Sequence, residues 1–393
     1  MIDLERVRAD TPATDELIHF NNAGSSLPPR PVVDAVKAYI DLEAASGGYE
    51  AAAQTAAADA QLYASAAQLL NCATSEVAFT VSASDAWWRA FNSIPLEAGD
   101  RIVTGRAEYI ANAFGLIQAQ KRGVHIDLID DDEHGQIDLD MLADRVNQDD
   151  VKLVALTHVP TSSGLINPAA EVGALAKEAG AWFLLDACQS AGQLPLDVEA
   201  FQCDFLSLTG RKFLRGPRGT GLLYARSSRF DELQSGPFID GRSADWTSPY
   251  EYKLQPTAQR FELFEVNYAA KRGFGVALDY ALEIGLDNIA DRVGPLAEAL
   301  RQGLAAIDGV SIHDPGVNKC GIVTFTVEDW APSDVQARLW TEQVNISLGG
   351  AASAQFDLGH RGIPAVARAS VHYFNTEAEV QRVVELVGEL NPG

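Results

Sequence analysis

Between Arg101 and Arg226, short and almost wholly apolar runs alternate with segments whose apolar residues recur at helical spacing. The runs RIVTG (from Arg101), VHIDLID (from Val124), VKLVALTHV (from Val151), AWFLLDA (from Ala181), CDFLSLTG (from Cys203) and TGLLYAR (from Thr220) predict buried strands. Between them EYIANAFGLIQAQKRG and NPAAEVGALAKEAG predict helices, the second with Pro168 just inside its start and Gly180 just past its end. Near-continuous apolar strands separated by helices predict an α/β fold, a mainly parallel sheet with helices on both faces. Ligands of such sheets collect at the carboxyl ends of the strands. Beyond about residue 230 the pattern changes. Residues 230–260 read as irregular, rich in Pro, Ser and aromatics, and a long helical stretch runs from Tyr268 to Ala306. Strands GIVTFTV (from Gly321) and RASVHYF (from Arg368) follow, and TEAEVQRVVELVGEL is an amphipathic helix. This predicts a large domain over residues 16–265 and a smaller α+β domain over 266–393 joined by residues 1–15.

The chain has 393 residues, 47% apolar and 21% charged, enough to bury a large core. Asp and Glu outnumber Lys and Arg by 54 to 30, a net charge of −24. That balance speaks against nucleic acid, since no basic stripe is available to displace counterions, and against an anionic membrane surface. The four cysteines, Cys72, Cys188, Cys203 and Cys320, form no CxxC pair, which suits a reduced chain. No apolar run follows the N-terminus and none is long enough to span a bilayer, so a cytoplasmic protein is expected.

Candidate chemistry sits where strands end. Asp186 closes the run AWFLLD, and Lys212 follows CDFLSL in the segment SLTGRKFLRGPRGTGLLY. A lysine in an apolar crevice has a lowered pKa and can act as an amine nucleophile, while a buried acid needs a cation. Pyridoxal phosphate uses both, a lysine for its aldehyde and an acid for its pyridine nitrogen. On spacing alone a structural ion pair is the favoured reading of the two residues.

The ordered motifs LLDACQSAGQLPLDV and CDFLSLTGRKFLRGPRGTGLLYAR resemble the class V aminotransferase superfamily, the fold-type I pyridoxal-phosphate group that includes cysteine desulfurases and isopenicillin N epimerase. The resemblance runs from HFNNAG to RASVHYFNT, nearly the whole chain. It implies a seven-stranded-type sheet, a homodimer and pyridoxal 5'-phosphate. It assigns Lys212 to the cofactor aldehyde and Asp186 to the pyridinium nitrogen, the two catalytic residues. Gln189 matches the position that bonds the phenolic oxygen, and Thr161 sits where desulfurases carry an asparagine beside it. Thr209 and Arg211 flank the lysine where phosphate-contacting Ser and His are usual. Ala83 and Ser84 align with a phosphate-binding turn at a helix start, with Ser82 in place of the usual glycine. Tyr109 falls where relatives stack a histidine on the ring. Asn267 is expected to reach the partner's phosphate, beside Glu265 where the family often has Thr. Arg368 matches the arginine that receives the substrate carboxylate, a bidentate fork. Asn22 in HFNNAG and Tyr49 in SGGYEAA are further substrate-side candidates, the tyrosine also readable as a packed aromatic beside a turn.

Other features read as structural. GPRGTG (from Gly216) leads into a strand, so it is no dinucleotide fingerprint. DDDEH (from Asp130) reads as an exposed loop, Trp87 and Trp88 as helix packing, and Cys188 and Cys203 as small buried hydrophobes. The histidines lack ligand spacing and no metal is expected. The mobile loop that carries a catalytic cysteine in desulfurases corresponds to SLGGAASAQFDLGHRGIPAVAR, which has none. A persulfide relay therefore lacks its nucleophile. The preferred reaction is β-elimination from a cysteine-derived α-amino acid, a C–S lyase similar in its GGYxAA and GPRG features to the ergothioneine-pathway branch. Transamination and epimerisation are the alternatives, and a non-catalytic sensor or scaffold is the reading from another class.

Overall fold

The computed structural model describes residues 2–148 and 150–390, so the outermost residues of the expected smaller domain, 1 and 391–393, lie outside the described residues. Its centre is a seven-stranded sheet: β1 (Val77–Thr80), β2 (Arg101–Thr104), β3 (His125–Leu128), β4 (Val151–Thr157), β5 (Trp182–Asp186), β6 (Phe205–Thr209) and β7 (Gly221–Ala225). The order across the sheet is β1-β7-β6-β5-β4-β2-β3. All pairs from β6 to β3 are parallel, and β7 runs antiparallel to both β6 and β1.

Side chains of one strand alternate between faces, and helices cover both faces, which is why these strands read as apolar runs. Helices α1 (Arg30–Ser46), α2 (Gly48–Gln54), α3 (Ala56–Leu70), α4 (Ala83–Ser93), α5 (Ile110–Gln120), α6 (Ala169–Glu178) and α7 (Tyr268–Ile284) surround the sheet. In β5, Trp182 and Leu184 join Trp87 and Phe91 of α4, whereas Phe183 and Leu185 join Leu62 of α3, Val172 of α6 and Phe274 of α7.

A second core lies against a four-stranded antiparallel sheet. After the hairpin β8 (Ala244–Ser248) and β9 (Glu251–Leu254) come β10 (Val310–Ile312), β11 (Ile322–Val327), β12 (Ser347–Gly350) and β13 (Ala365–Ser370), ordered β10-β11-β13-β12. Its core combines Val323, Phe325 and Ala369 with α8 (Leu286–Ala305) and α9 (Glu377–Gly388). Val7 and Phe20 pack there too, and Ile18–His19 pairs with Val344–Asn345. Helix α7 serves both cores, through Phe274 and Leu278 on one side and Tyr280 on the other.

Several elements differ from the sequence expectation. The stretch from Tyr268 to Ala306 is two helices, broken at Gly285, whose φ of 88° suits glycine. Residues 230–260 hold the β8–β9 hairpin, which the exposed Trp246 and Tyr252 disguised as loop. Strand β3 is the sheet edge and only partly buried. Pro168 caps α6 from outside, and β13 ends at Ser370, earlier than RASVHYF suggests. Among the described residues no helix is long and apolar enough to cross a membrane.

Candidate active site

The carboxyl ends of β2, β4, β5 and β6 converge on one crevice. Asp186 is the last residue of β5, and its Oδ1 accepts the backbone N–H of Cys188 at 2.8 Å. Its Oδ2 accepts Asn112 Nδ2 at 2.9 Å. Burial pushes the carboxyl up, opposed by these two donors and by Lys212. Lys212 lies in the turn after β6 and is 5% exposed. Burial, helped by the charges of Arg211 and Arg368, lowers its ammonium below the ordinary lysine range, against Cys188 and Asp186. Its Nζ stands 6.0 Å from the centre of the Tyr109 ring.

Backbone packing holds these turns together. Gly192, at φ 91°, ends the turn after Asp186, and a Cβ there would lie 2.4 Å from the carbonyl carbon of Phe213, next to the lysine. Gly221 of β7 comes so close to Ser82 that a Cβ would reach its carbonyl carbon at 2.7 Å, which seats the start of α4 beside β6. Ser82 caps α4, its side chain accepting Asp85 N–H at 3.1 Å, so Ala83 and Ser84 open a helix with free N–H groups. Thr209, at the end of β6, donates its hydroxyl to Thr220 O at 3.2 Å.

Gln189 donates from Nε2 to Ala23 O at 3.1 Å and to Thr161 Oγ1 at 3.2 Å. The same threonine takes the Arg368 guanidinium on its hydroxyl and, at 3.0 Å, on its carbonyl. Burial, and then Arg211, hold Arg368 down to about 10. Arg211 donates to the carbonyl of Gly24. The partners of these guanidiniums are thus a hydroxyl and backbone carbonyls, an unusual state in a chain of net charge −24. Gln189 Oε1 and Arg368 Nε are buried without a partner. Cations near one another without carboxylates, orphaned polar atoms and an acid with lone pairs to spare fit an anionic ligand with a basic nitrogen.

Three further candidates stand outside this hydrogen-bonded group within the single chain. Asn22 is fully buried, but its Nδ2 donates to His19 O and Ser370 O and its Oδ1 accepts Ser26 Oγ, which leaves its amide engaged within the protein. Tyr49, on α2, is 79% exposed rather than packed. It lines an open groove of about 1330 Å³ with Asn267 and Glu265, and Asn267 caps α7 by accepting Ala270 N–H at 2.8 Å. The groove reaches Val81, next to Ser82, but not Lys212.

Sequence reasoning missed four residues. Glu108 and Asn112 stand behind Asp186. Cys188, read as a buried hydrophobe, is only partly buried and sits beside Lys212, its thiol pushed up by burial. Arg215 clamps the two cores, donating to Leu27 O and Tyr373 Oη and lying 4.6 Å from the centre of the Phe374 ring. The signal for Glu108 was an acid immediately after an apolar strand and four residues before an asparagine on a helix.

Lys212 and Asp186 together can serve pyridoxal phosphate at two places, the aldehyde carbon and the ring nitrogen. That assigns the molecule to the enzymes that depend on this cofactor. Comparison with known proteins agrees: the family model for class V aminotransferases matches residues 18–383, and the chain belongs to that family. It is 30% identical to a probable cysteine desulfurase of Pyrococcus abyssi, over 98% of this chain and 97% of that one. A probable cysteine desulfurase of Methanothermobacter thermautotrophicus is 29% identical, over 98% of each chain. The apo structure of a cysteine desulfurase from Thermococcus onnurineus NA1 superimposes with a TM-score of 0.92 at 30% identity, covering 99% of this chain and 98% of that one.

Proposed function

We propose that the protein is a C–S lyase that eliminates the sulfur substituent from the β-carbon of a cysteine-derived amino acid. The observation that carries this reading is the segment between β12 and β13, residues 351–364. It contains no cysteine, and its Asp357 is fastened to Ser162, whose hydroxyl donates at 2.6 Å. Sulfur then leaves as a small product instead of being passed to an enzyme thiol. Cys72, Cys203 and Cys320 are no substitute, because burial raises each thiol, to about 12 in Cys72 and Cys320.

When bound, pyridoxal phosphate supplies an electron sink for the charge that develops at Cα. Arg368 would receive the substrate carboxylate and so orient the Cα–H bond for removal. Lys212, whose burial favours the free amine, takes the Cα proton on Nζ. Asp186 would hold a proton on the ring nitrogen, and Tyr109 would supply an aromatic surface for the ring. Gln189 and Thr161 would serve the phenolic oxygen, while Ala83, Ser84, Thr209 and Arg211 would hold the phosphate. The Cβ–S bonding pair leaves with sulfur, which takes up a proton, and the remaining 2-aminoacrylate is released and hydrolysed by water to pyruvate and ammonia.

We infer further that the active form is a homodimer, with Asn267 of each copy completing the partner's phosphate site and Tyr49 lying at the shared face. Glu265 then points away from the phosphate or meets Arg211. The chain's own domains divide near residue 265, and its compartment is the cytoplasm. Incubation with cysteine conjugates and sulfoxides tests the reaction. Stoichiometric pyruvate and ammonia support it. Conversion of the cofactor to its amine form, regenerated only by a keto acid, replaces it with an aminotransferase. Full activity of a strict monomer at nanomolar concentration contradicts the dimer.

A further inference from the structure

Behind Asp186 stands a second carboxylate that the proposed reaction does not use. Glu108 follows β2 and is 7% exposed. Every hydrogen bond it makes comes from a donor fixed on the sheet or on α5. Thr104 Oγ1, the end of β2, donates to its Oε1 at 3.0 Å, and Thr157 Oγ1, the end of β4, donates to its Oε2 at 2.9 Å. Asn112 Nδ2 donates to the same Oε2 at 3.2 Å and to Asp186 Oδ2 at 2.9 Å. One amide group therefore bridges two buried carboxylates, and both of its protons are used. Because Asn112 sits one turn beyond Glu108, the start of α5 sets the spacing of the pair.

An acid held by three donors in a dry site is costly unless its charge serves something. Among the described residues, Asp186, across Asn112, is the ionisable group whose charge bears on it. The segment that covers Glu108 from outside presents only Ala352, Ser353, Gln355 and Phe356, and α5 presents Ile110, Ala113, Phe114 and Ile117. No cation from those elements neutralises it. The positive charges lie beyond Asp186, on Lys212, Arg211 and Arg368.

We propose that Glu108, acting through Asn112, is a positioning residue that orients Asp186 toward the cofactor's ring nitrogen and sets a second negative charge behind it. This rests on the reading of Asp186 as the ring-nitrogen partner. Asn112 fixes the rotation of the Asp186 carboxylate, and Glu108 fixes Asn112. The charge of Glu108 raises the proton affinity of Asp186 and of whatever base Asp186 faces. Burial, and then Asp186 itself, push the Glu108 carboxyl up to about 7 in the cofactor-free protein, as expected of two acids sharing one donor. A positive charge bound at Asp186 returns Glu108 to its ionised form.

The test is a pH titration of the visible absorbance of the holoenzyme, with steady-state kinetics beside it. In Glu108→Gln the shape is kept and the amide can still accept from Asn112 and meet the Thr104 hydroxyl, but the charge is gone. The midpoint of the absorbance titration is expected to fall by about one unit and kcat by about ten-fold, with KM unchanged, since one unit of proton affinity is a factor of ten. Asn112→Ala removes a donor from Asp186 without removing charge, so its midpoint should stay or rise. A midpoint unchanged in Glu108→Gln, or one that falls equally in both variants, overturns the proposal. If Glu108→Gln does not load cofactor, Thr157→Val weakens the ionised form of Glu108 and should move the midpoint in the same direction by less; no movement there also overturns it. Asp186→Asn tests the underlying reading separately. If its absorbance titration matches the unaltered protein, the assignment of Asp186 fails, whatever Glu108 does.

Discussion

The crevice at the strand ends and the groove beside α1, α2 and α7 differ in how far the chain completes them. In the crevice nearly every polar group is buried and bonded. Asp186 has two donors, Glu108 has three, and Arg368 is gripped through Thr161. In the groove the aromatic and apolar side chains stand open, with Tyr49 79%, Ile40 53% and Phe264 50% exposed. The crevice draws its precision from the sheet, whose parallel strands end together and whose turns are locked by Gly192 and Gly221. The groove is built from helix surfaces and the irregular approach to α7, which define a shape but engage little of it. Chemistry that needs fixed geometry suits the first, and the proposed association of two copies suits the second.

The largest expected effect tests the crevice directly. Lys212→Ala should lower turnover by at least about 10³-fold, since under the proposed reaction it removes both the cofactor anchor and the proton acceptor. Borohydride treatment followed by peptide mapping should then find no cofactor attached at position 212. A variant that keeps its reducible band would put the chemistry elsewhere in the molecule.

A pH experiment on the cofactor-free protein sharpens the same side of the comparison. The Glu108 carboxyl is raised from 4.5 to about 7, so the folded state holds its proton more tightly than the unfolded chain. Its contribution to stability is present below pH 4.5 and is lost as pH rises through 7, by up to about 3 kcal/mol. His158, which burial pushes down to about 4, changes stability in the opposite sense over the overlapping window, losing it as pH falls below 6.5. The difference in denaturation free energy between the unaltered protein and Glu108→Gln isolates the carboxyl. That difference should change steadily from pH 4.5 to 7 and be flat above 8.

Arg368→Ala comes next. Loss of a charge-assisted bidentate contact should raise KM by about ten- to hundred-fold. The visible band of the bound cofactor should persist, because the guanidinium is expected to meet the substrate carboxylate and not the ring. A band lost together with affinity would mean that Arg368 builds the cofactor site itself.

How much of this was legible in the sequence follows the same division. Asp186 and Lys212 stood out as candidates because they lie at the ends of apolar strands, where the sheet exposes backbone and side chains to a ligand, and Gln189 stood out only through the family resemblance. Glu108 was not, since an acid after RIVTG reads as loop until Thr104, Thr157 and Asn112 are brought around it from three elements. Cys188 was misread because strand-end apolarity says nothing about the neighbour across the crevice. In the groove, Tyr49 was undecidable between packing and binding, for a helix surface without its partner carries no periodic signal. The β8–β9 hairpin was hidden by the same cause: Trp246, Tyr250 and Tyr252 are exposed, so its alternation has no apolar face turned to the core.

The smallest expected effect tests the groove. The Tyr49 side chain makes no hydrogen bond among the described residues and stands 79% exposed on a seven-residue helix, so Tyr49→Ala should change the denaturation free energy of an isolated chain by no more than about 0.5 kcal/mol. If the groove is the face shared by two copies, the same substitution should weaken their association, seen by sedimentation across a dilution series. Activity should then fall only at dilutions where the variant is monomeric and recover at high concentration. Dilution separates the two regions because the crevice residues belong to one chain. Unaltered self-association in Tyr49→Ala would leave the groove without that role, and a loss of activity at every concentration would bring Tyr49 to the substrate instead.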